Sequence, residues 1–89
     1  MEVTYSASKN AGNIRKHGIS LARAEGFQLD DAFVVVDDSQ DYGEVRYIGI
    51  GWIGVSLHVL VYTVRDGFVR AISLRKANKW EQQIYAEEN

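Results

Sequence analysis

From Glu44 to Arg75 the sequence runs as three stretches of alternating apolar and polar residues. They are Glu44–Trp52, Val55–Arg65 and Phe68–Arg75, separated by Ile53-Gly54 and Asp66-Gly67. Period-two alternation is the pattern of half-buried strands, and Asp-Gly is a strong signal for a two-residue hairpin. An antiparallel β-meander is therefore predicted, and the rest of the chain must cover it. Tyr47–Val64 is uncharged and about long enough to span a bilayer. Its glycines at 49, 51 and 54, its β-branched residues and the arginines at 46 and 65 point instead to two strands and a turn.

Two-residue loops fix the pairing by counting. Arg65 meets Phe68, Thr63 meets Arg70, Val61 meets Ile72 and His58 meets Arg75, while Ile50 meets Leu57 and Ile48 meets Val59. One sheet face then carries Trp52, Ile50, Ile48, Leu57, Val59, Val61, Ile72 and Leu74 as a core, and ends in a polar cluster of Glu44, Arg46, Thr63, Arg65 and Arg70. The other face carries Tyr47, His58, Leu60, Tyr62, Ser73 and Arg75. Arg75 falls on the opposite side of the sheet from Arg46 and Arg65. A one-residue slip in either turn would reverse such an assignment.

Around the meander, Val3 and Tyr5 suggest a first strand, and Ala7, Ala11 and Ile14 recur at helical spacing up to His17-Gly18. Lys9, Asn13 and Lys16 form a polar stripe on that helix. Ser20 can cap a second, short helix carrying Leu21, Ala24 and Phe27, and Phe33–Val36 reads as a buried strand. Asp37–Gly43 is an acidic loop whose glycine is misplaced for a calcium loop, with no bidentate glutamate after it. Asn78 and Glu81 form a capping-box pattern opening a C-terminal helix, expected to bury Trp80 and Ile84. The expectation is a single α+β domain over residues 1–89.

There is no cysteine, which excludes disulfides, thiol nucleophiles and thiolate-bound metals and suits a reducing, cytoplasmic setting. The net charge is −2, yet the charges are segregated. Residues 1–24 balance to +3 and residues 46–80 to +5, whereas residues 25–45 hold seven acids and no base, and the tail adds three glutamates. A folded domain of this kind can show a basic face despite its net sign, which permits phosphate binding.

Asn13, Lys16-His17-Gly18-Ile19 and Ser20 resemble the N-x-x-K-H-G-[IV]-S segment of the BrnT toxins. Glu44, Arg46-Tyr47, Gly49, Tyr62-Thr63, Arg65, Arg70-x-Ile72-Ser73-x-Arg75-Lys76-Ala77, Glu81 and Tyr85 follow in the same family's order. The resemblance covers almost the whole chain. It implies a RelE-like fold, with N-terminal helices packed on the meander and a C-terminal helix. It also implies an endoribonuclease toxin of a type II toxin–antitoxin module. The partner implied is BrnA, a small ribbon-helix-helix antitoxin through which the complex would meet operator DNA and repress its own operon. Tyr5-Ser6 stands where the family often has Trp-Asp, and Arg23 where an acid is common. These departures leave a second reading, a catalytically inactive member that binds the antitoxin and regulates the operon.

Metal-independent RNA cleavage uses the 2′-hydroxyl as nucleophile, so the protein supplies a base, an acid and cations on the phosphorane, with no cofactor. Glu44 is the candidate base, and Arg46, Arg65 and Arg75 are the candidate phosphate ligands, with Lys16 or His17 approaching from the helix end. Tyr47 and Tyr62 could stack bases, and Lys9, Arg70 and Lys76 could add to RNA contact. Plainer roles stand beside these. Glu44, Arg46 and Arg65 could be a salt-bridge cluster at a sheet edge. His17 could serve its helix terminus, and His58 could be structural.

Overall fold

A computed structural model describes residues 1–89. The elements are β1 (Val3–Thr4), α1 (Ala7–His17), two 3₁₀ helices (Leu21–Gly26 and Leu29–Asp31), β2 (Phe33–Asp37), β3 (Arg46–Ile53), β4 (Ser56–Arg65), β5 (Phe68–Lys76) and α2 (Lys79–Glu88). The sheet order is β1-β5-β4-β3-β2, antiparallel except that β1 runs parallel to β5. The fold is thus α+β with a mixed sheet built on the expected meander. No helix is long and apolar enough to cross a membrane.

The first turn sits one residue later than the sequence suggested, at Gly54-Val55. Gly54 takes a φ of 59°, which its missing Cβ allows. Ile48 therefore faces Val61 and Ile50 faces Val59. Each partner moves by two residues, so the faces of β3 and β4 are unchanged. In the second turn Asp66 and Gly67 both have positive φ, 55° and 80°, the geometry a type I′ hairpin needs. Arg65 pairs with Phe68 and Thr63 with Arg70, as counted.

Past Tyr62–Ala71 the register slips by one, so that Val61 faces Ser73, Leu60 faces Leu74 and Val59 faces Arg75. Ile72 is the extra residue of a β-bulge. This corrects the face assignment: the bulge turns Leu74 to the side of Leu60 and Tyr62, and turns Ser73 and Arg75 to the side of Val59, Arg46 and Arg65.

Both sheet faces are consequently covered. Leu60, Tyr62, Ala71 and Leu74 pack with Val3, Leu21, Ala24 and Phe27 in the larger core. A Cβ on Gly51 would lie 2.8 Å from the Phe27 ring, so the bare backbone there makes room for that side chain. On the opposite face Ile50, Val59 and Ala77 pack with Phe33, Ile48, Leu57, Ile84 and Tyr85 under α2. Trp80, expected inside, is 69% exposed. Helix α2 turns Ile84 and Tyr85 to the sheet and leaves Trp80 outside.

Helix α1 is capped by Ser6, whose Oγ accepts from Lys9 N at 3.1 Å, and ends at Gly18 with φ 72°. Its apolar residues do not form its buried side: Ala7, Ala11 and Ile14 are exposed, whereas Asn13 is buried. The reason lies in the surface it packs on. Strand β1 pairs only with Val69 and Arg70, which leaves the edge of β5 open further along. Asn13 closes it, its Nδ2 donating to Leu74 O at 2.8 Å and its Oδ1 accepting from Leu74 N at 3.0 Å. The same Nδ2 donates to Ile19 O, and Asn10 Oδ1 accepts from Leu21 N at 2.7 Å. A strand edge offers backbone polar groups, so the helix face that docks there is polar.

Asn13→Ala strips partners from the buried Leu74 N–H and C=O. It should cost about 2–4 kcal/mol, read as a melting temperature lower by roughly 10–20 °C. A change of only a few degrees would contradict the role given to Asn13.

Candidate functional site

The bulge and the docked helix together form a groove. Lys9, Gly12, Asn13, Lys16 and His17 of α1 face Ile72, Ser73 and Arg75 of β5 across a recess of about 540 Å³. A second recess of about 680 Å³ shares Lys16, His17 and Arg75 and continues past Gly18 to Arg23 and Lys76. No carboxylate lines either one. His17 is brought here by the last turn of α1, and Gly18, in the left-handed conformation beyond it, ends the helix by donating to Ile14 O at 2.8 Å. The groove thus holds a guanidinium, ammonium groups and an imidazole, a set that can bind a phosphate and move protons beside it.

Arg75 is not free within the groove. Its Nη1 and Nη2 donate to Glu81 Oε1 and Oε2, both at 2.7 Å. Glu81 Oε1 also accepts from Asn78 N, completing the capping box of α2. The Arg75 guanidinium holds the Glu81 carboxyl below the ordinary glutamate range, outweighing desolvation, with the Asn78 N–H assisting. Glu81 in turn raises the affinity of Arg75 for its proton.

Glu44, Arg46 and Arg65 form a separate cluster. Arg46 Nε donates to Glu44 Oε2 at 3.2 Å and Arg65 Nη2 donates to Oε1 at 3.0 Å. The Arg46 hydrogen bond is the main influence keeping Glu44 ionised below the usual carboxylate range, opposed by desolvation and supported by Arg65. The Arg46 guanidinium also lies 3.9 Å over the Tyr42 ring, and Tyr42 OH donates to Asp37 Oδ2 at 3.0 Å. Thr63 Oγ1 donates to Val45 O at 2.6 Å. The acidic loop is thereby folded back onto β3 and β4 by its own side chains.

The six residues expected to form one catalytic set, with Glu44 as base, are therefore divided between two centres. Arg46 lies one step beyond the Tyr47–Tyr62 pair, whereas Arg75 lies on the Val59 pair, on the far side of β4. Three to four residues along the strand and two strand spacings across put the two Cα atoms roughly 15 Å apart. Charge separates the centres further. Asp37, Asp38 and Asp41 stand beside Glu44, so acids outnumber bases around that cluster. The field at that cluster is thus less favourable to an anion than the field in the groove.

The remaining candidates are dispersed. Lys9 lines the groove, Lys76 lines its extension, and Arg70, half-buried between Thr4 and Thr63, shares the Arg75 face. Tyr47 and Tyr62 stack on each other at 5.3 Å on the opposite face, and Tyr62 is buried, which pushes its phenol up. Neither is positioned to stack a base in the groove. His58 is buried with Nδ1 3.0 Å from Ser56 O, a structural placement. Tyr85 packs edge-on against Trp52 and donates to Asp31 O at 3.0 Å. Sequence reasoning missed Ser73, whose place depends on the bulge. It also missed the pairing of Glu81 with Arg75, because Glu81 read fully as a helix cap. No three His, Asp or Glu side chains converge as a metal site.

Because Glu81 is held below its ordinary range, the stability it gives is complete above about pH 4.3 and is lost as pH falls through its lowered value. Glu81→Gln should be less stable than the parent by about 0.5–1 kcal/mol at pH 7, with the gap closing on acidification. Urea unfolding from pH 7 to pH 3 checks this, and a gap that persists at low pH contradicts it.

No curated protein matches the chain in sequence. A family model does, over residues 5–81: that of the ribonuclease toxin BrnT of type II toxin–antitoxin systems. The matched span begins before α1 and ends at Glu81, so it contains every residue of the groove and of the Glu44 cluster. The chain belongs to the BrnT family of type II toxin–antitoxin ribonuclease toxins.

Proposed function

We propose that this chain is a metal-independent endoribonuclease that cleaves RNA in the groove between α1 and β5. What carries the reading is the union of Lys16, His17 and Arg75 along one recess, where the only carboxylate in contact with them is Glu81 on Arg75. In the proposed reaction the 2′-oxygen attacks phosphorus while the bond to the 5′-oxygen breaks, giving a cyclic phosphate and a 5′-hydroxyl. His17 takes the proton of the 2′-hydroxyl as general base. The Lys16 ammonium gives a proton to the departing 5′-oxygen. Arg75 and Lys9 neutralise the phosphorane oxygens. Lys76 and Arg70 extend the contact along the RNA backbone.

Glu44, Arg46 and Arg65 are assigned here to holding the acidic loop. Both Glu44 oxygens are occupied, and the surrounding acids disfavour an incoming phosphate. The proposal includes the RelE-like arrangement expected of the family and neutralisation by a BrnA-like ribbon-helix-helix antitoxin, through which operator DNA is reached. The second reading, an inactive member kept for antitoxin binding, is favoured by Tyr5-Ser6 standing in place of the family's Trp-Asp pair.

Purified protein incubated with single-stranded RNA and a chelator tests the assignment. Cleavage should persist with the chelator, fall at least about 100-fold in His17→Ala and Arg75→Ala, and stay within a few-fold in Glu44→Gln. Intact RNA at high protein concentration establishes the inactive reading. Loss of cleavage in Glu44→Gln with His17→Ala unaffected moves the chemistry to the other cluster.

A further inference from the structure

The Arg75–Glu81 pair has the geometry of a bound phosphate. Two carboxylate oxygens each accept from a terminal nitrogen of the guanidinium at 2.7 Å, the bidentate fork that arginine offers to phosphate oxygens. Nη1 also lies 3.3 Å from Lys76 O. Both terminal nitrogens are thus committed, and the charge is neutralised from within the chain. Glu81 comes from α2, a helix with no fully buried residue, held to the sheet through Ile84, Tyr85 and the bonds of Tyr85 and Asn89 to Asp31 O.

Resting on the groove assignment above, we propose that Glu81 is a built-in competitor for the RNA phosphate at Arg75. An incoming phosphate must take the fork from the Glu81 carboxylate, so the protein binds RNA more weakly than the cations in its groove would allow. Glu81 acts on RNA only through Arg75 and touches no substrate. Its side chain has a second, separable duty in accepting from Asn78 N at the start of α2. Glutamine can keep that cap while removing the charge that competes.

The test is binding of a single-stranded oligonucleotide with 2′-O-methyl groups throughout, which lacks the nucleophile and cannot be cut. Dissociation constants are measured between 0.05 and 0.3 M salt (about that range suffices to resolve one counterion). The proteins are the parent, Glu81→Gln, Arg75→Ala, the double variant and Lys16→Ala, each first shown to be folded by its unfolding transition. Neutralising one more phosphate of a single strand steepens the log–log salt slope by about 0.7, equivalent to about four-fold tighter binding at 0.15 M salt. Glu81→Gln should show both changes, and Arg75→Ala should abolish them in the double variant. Unchanged or weaker binding by Glu81→Gln, while Lys16→Ala still weakens it, overturns the competition and leaves the groove standing. Tighter binding that survives in the double variant also overturns it, because a general charge effect then accounts for the change. Indifference to Lys16→Ala and to both single changes removes the groove reading itself.

Discussion

Leu74 presents a backbone N–H and C=O at an edge of β5 that no strand covers, and Asn13 binds both. That pair of hydrogen bonds decides where α1 lies. Without a partner the Leu74 groups would be buried and unsatisfied at substantial cost. With Asn13 in place the helix runs beside the strand, so that Lys9 and Lys16 on either side of Asn13 line the groove next to β5. The polar stripe of α1 is thus its docking face. The groove follows from a helix packed against a strand edge instead of a sheet face.

The β-bulge at Ile72 supplies the other wall. One extra residue in β5 puts Leu74 into the larger core and Ser73 and Arg75 on the groove side. A regular strand would have left Arg75 on the side of Leu60 and Tyr62, the side of the larger core. Opposed charges then sort the surface. Four of the chain's twelve acidic residues, Asp37, Asp38, Asp41 and Glu44, gather at the loop after β2, which Glu44, Arg46, Arg65 and Tyr42 fasten down. The basic residues of α1 and β5 are left facing one another.

Much of this was legible in the sequence. Alternation and the Asp66-Gly67 signal located β4 and β5 and their first pairs. The later position of the first turn moved partners by two and so kept every face. The bulge could not be read, because Ile72 is a β-branched residue in an unbroken strand pattern, with no glycine to mark it. Ala7, Ala11 and Ile14 suggested an apolar helix face that is in fact exposed. Periodicity assumes burial against side chains and carries no signal for docking on backbone groups. Trp80 misled for a related reason: its size argues for burial, but the small second core is filled by Ile84 and Tyr85. The grouping of the candidate residues depends on the register, which the bulge at Ile72 changes for Ser73 and Arg75.

In the proposed function RNA meets the α1–β5 groove and not the Glu44 cluster. Isotope-labelled protein titrated with a non-cleavable single-stranded RNA and followed by NMR maps the contact directly. The largest shifts are expected at Lys9, Lys16, His17, Ser73 and Arg75, with Glu44, Arg46 and Arg65 little changed. Shifts centred on Glu44, Arg46 and Arg65, with the groove residues still, would contradict it.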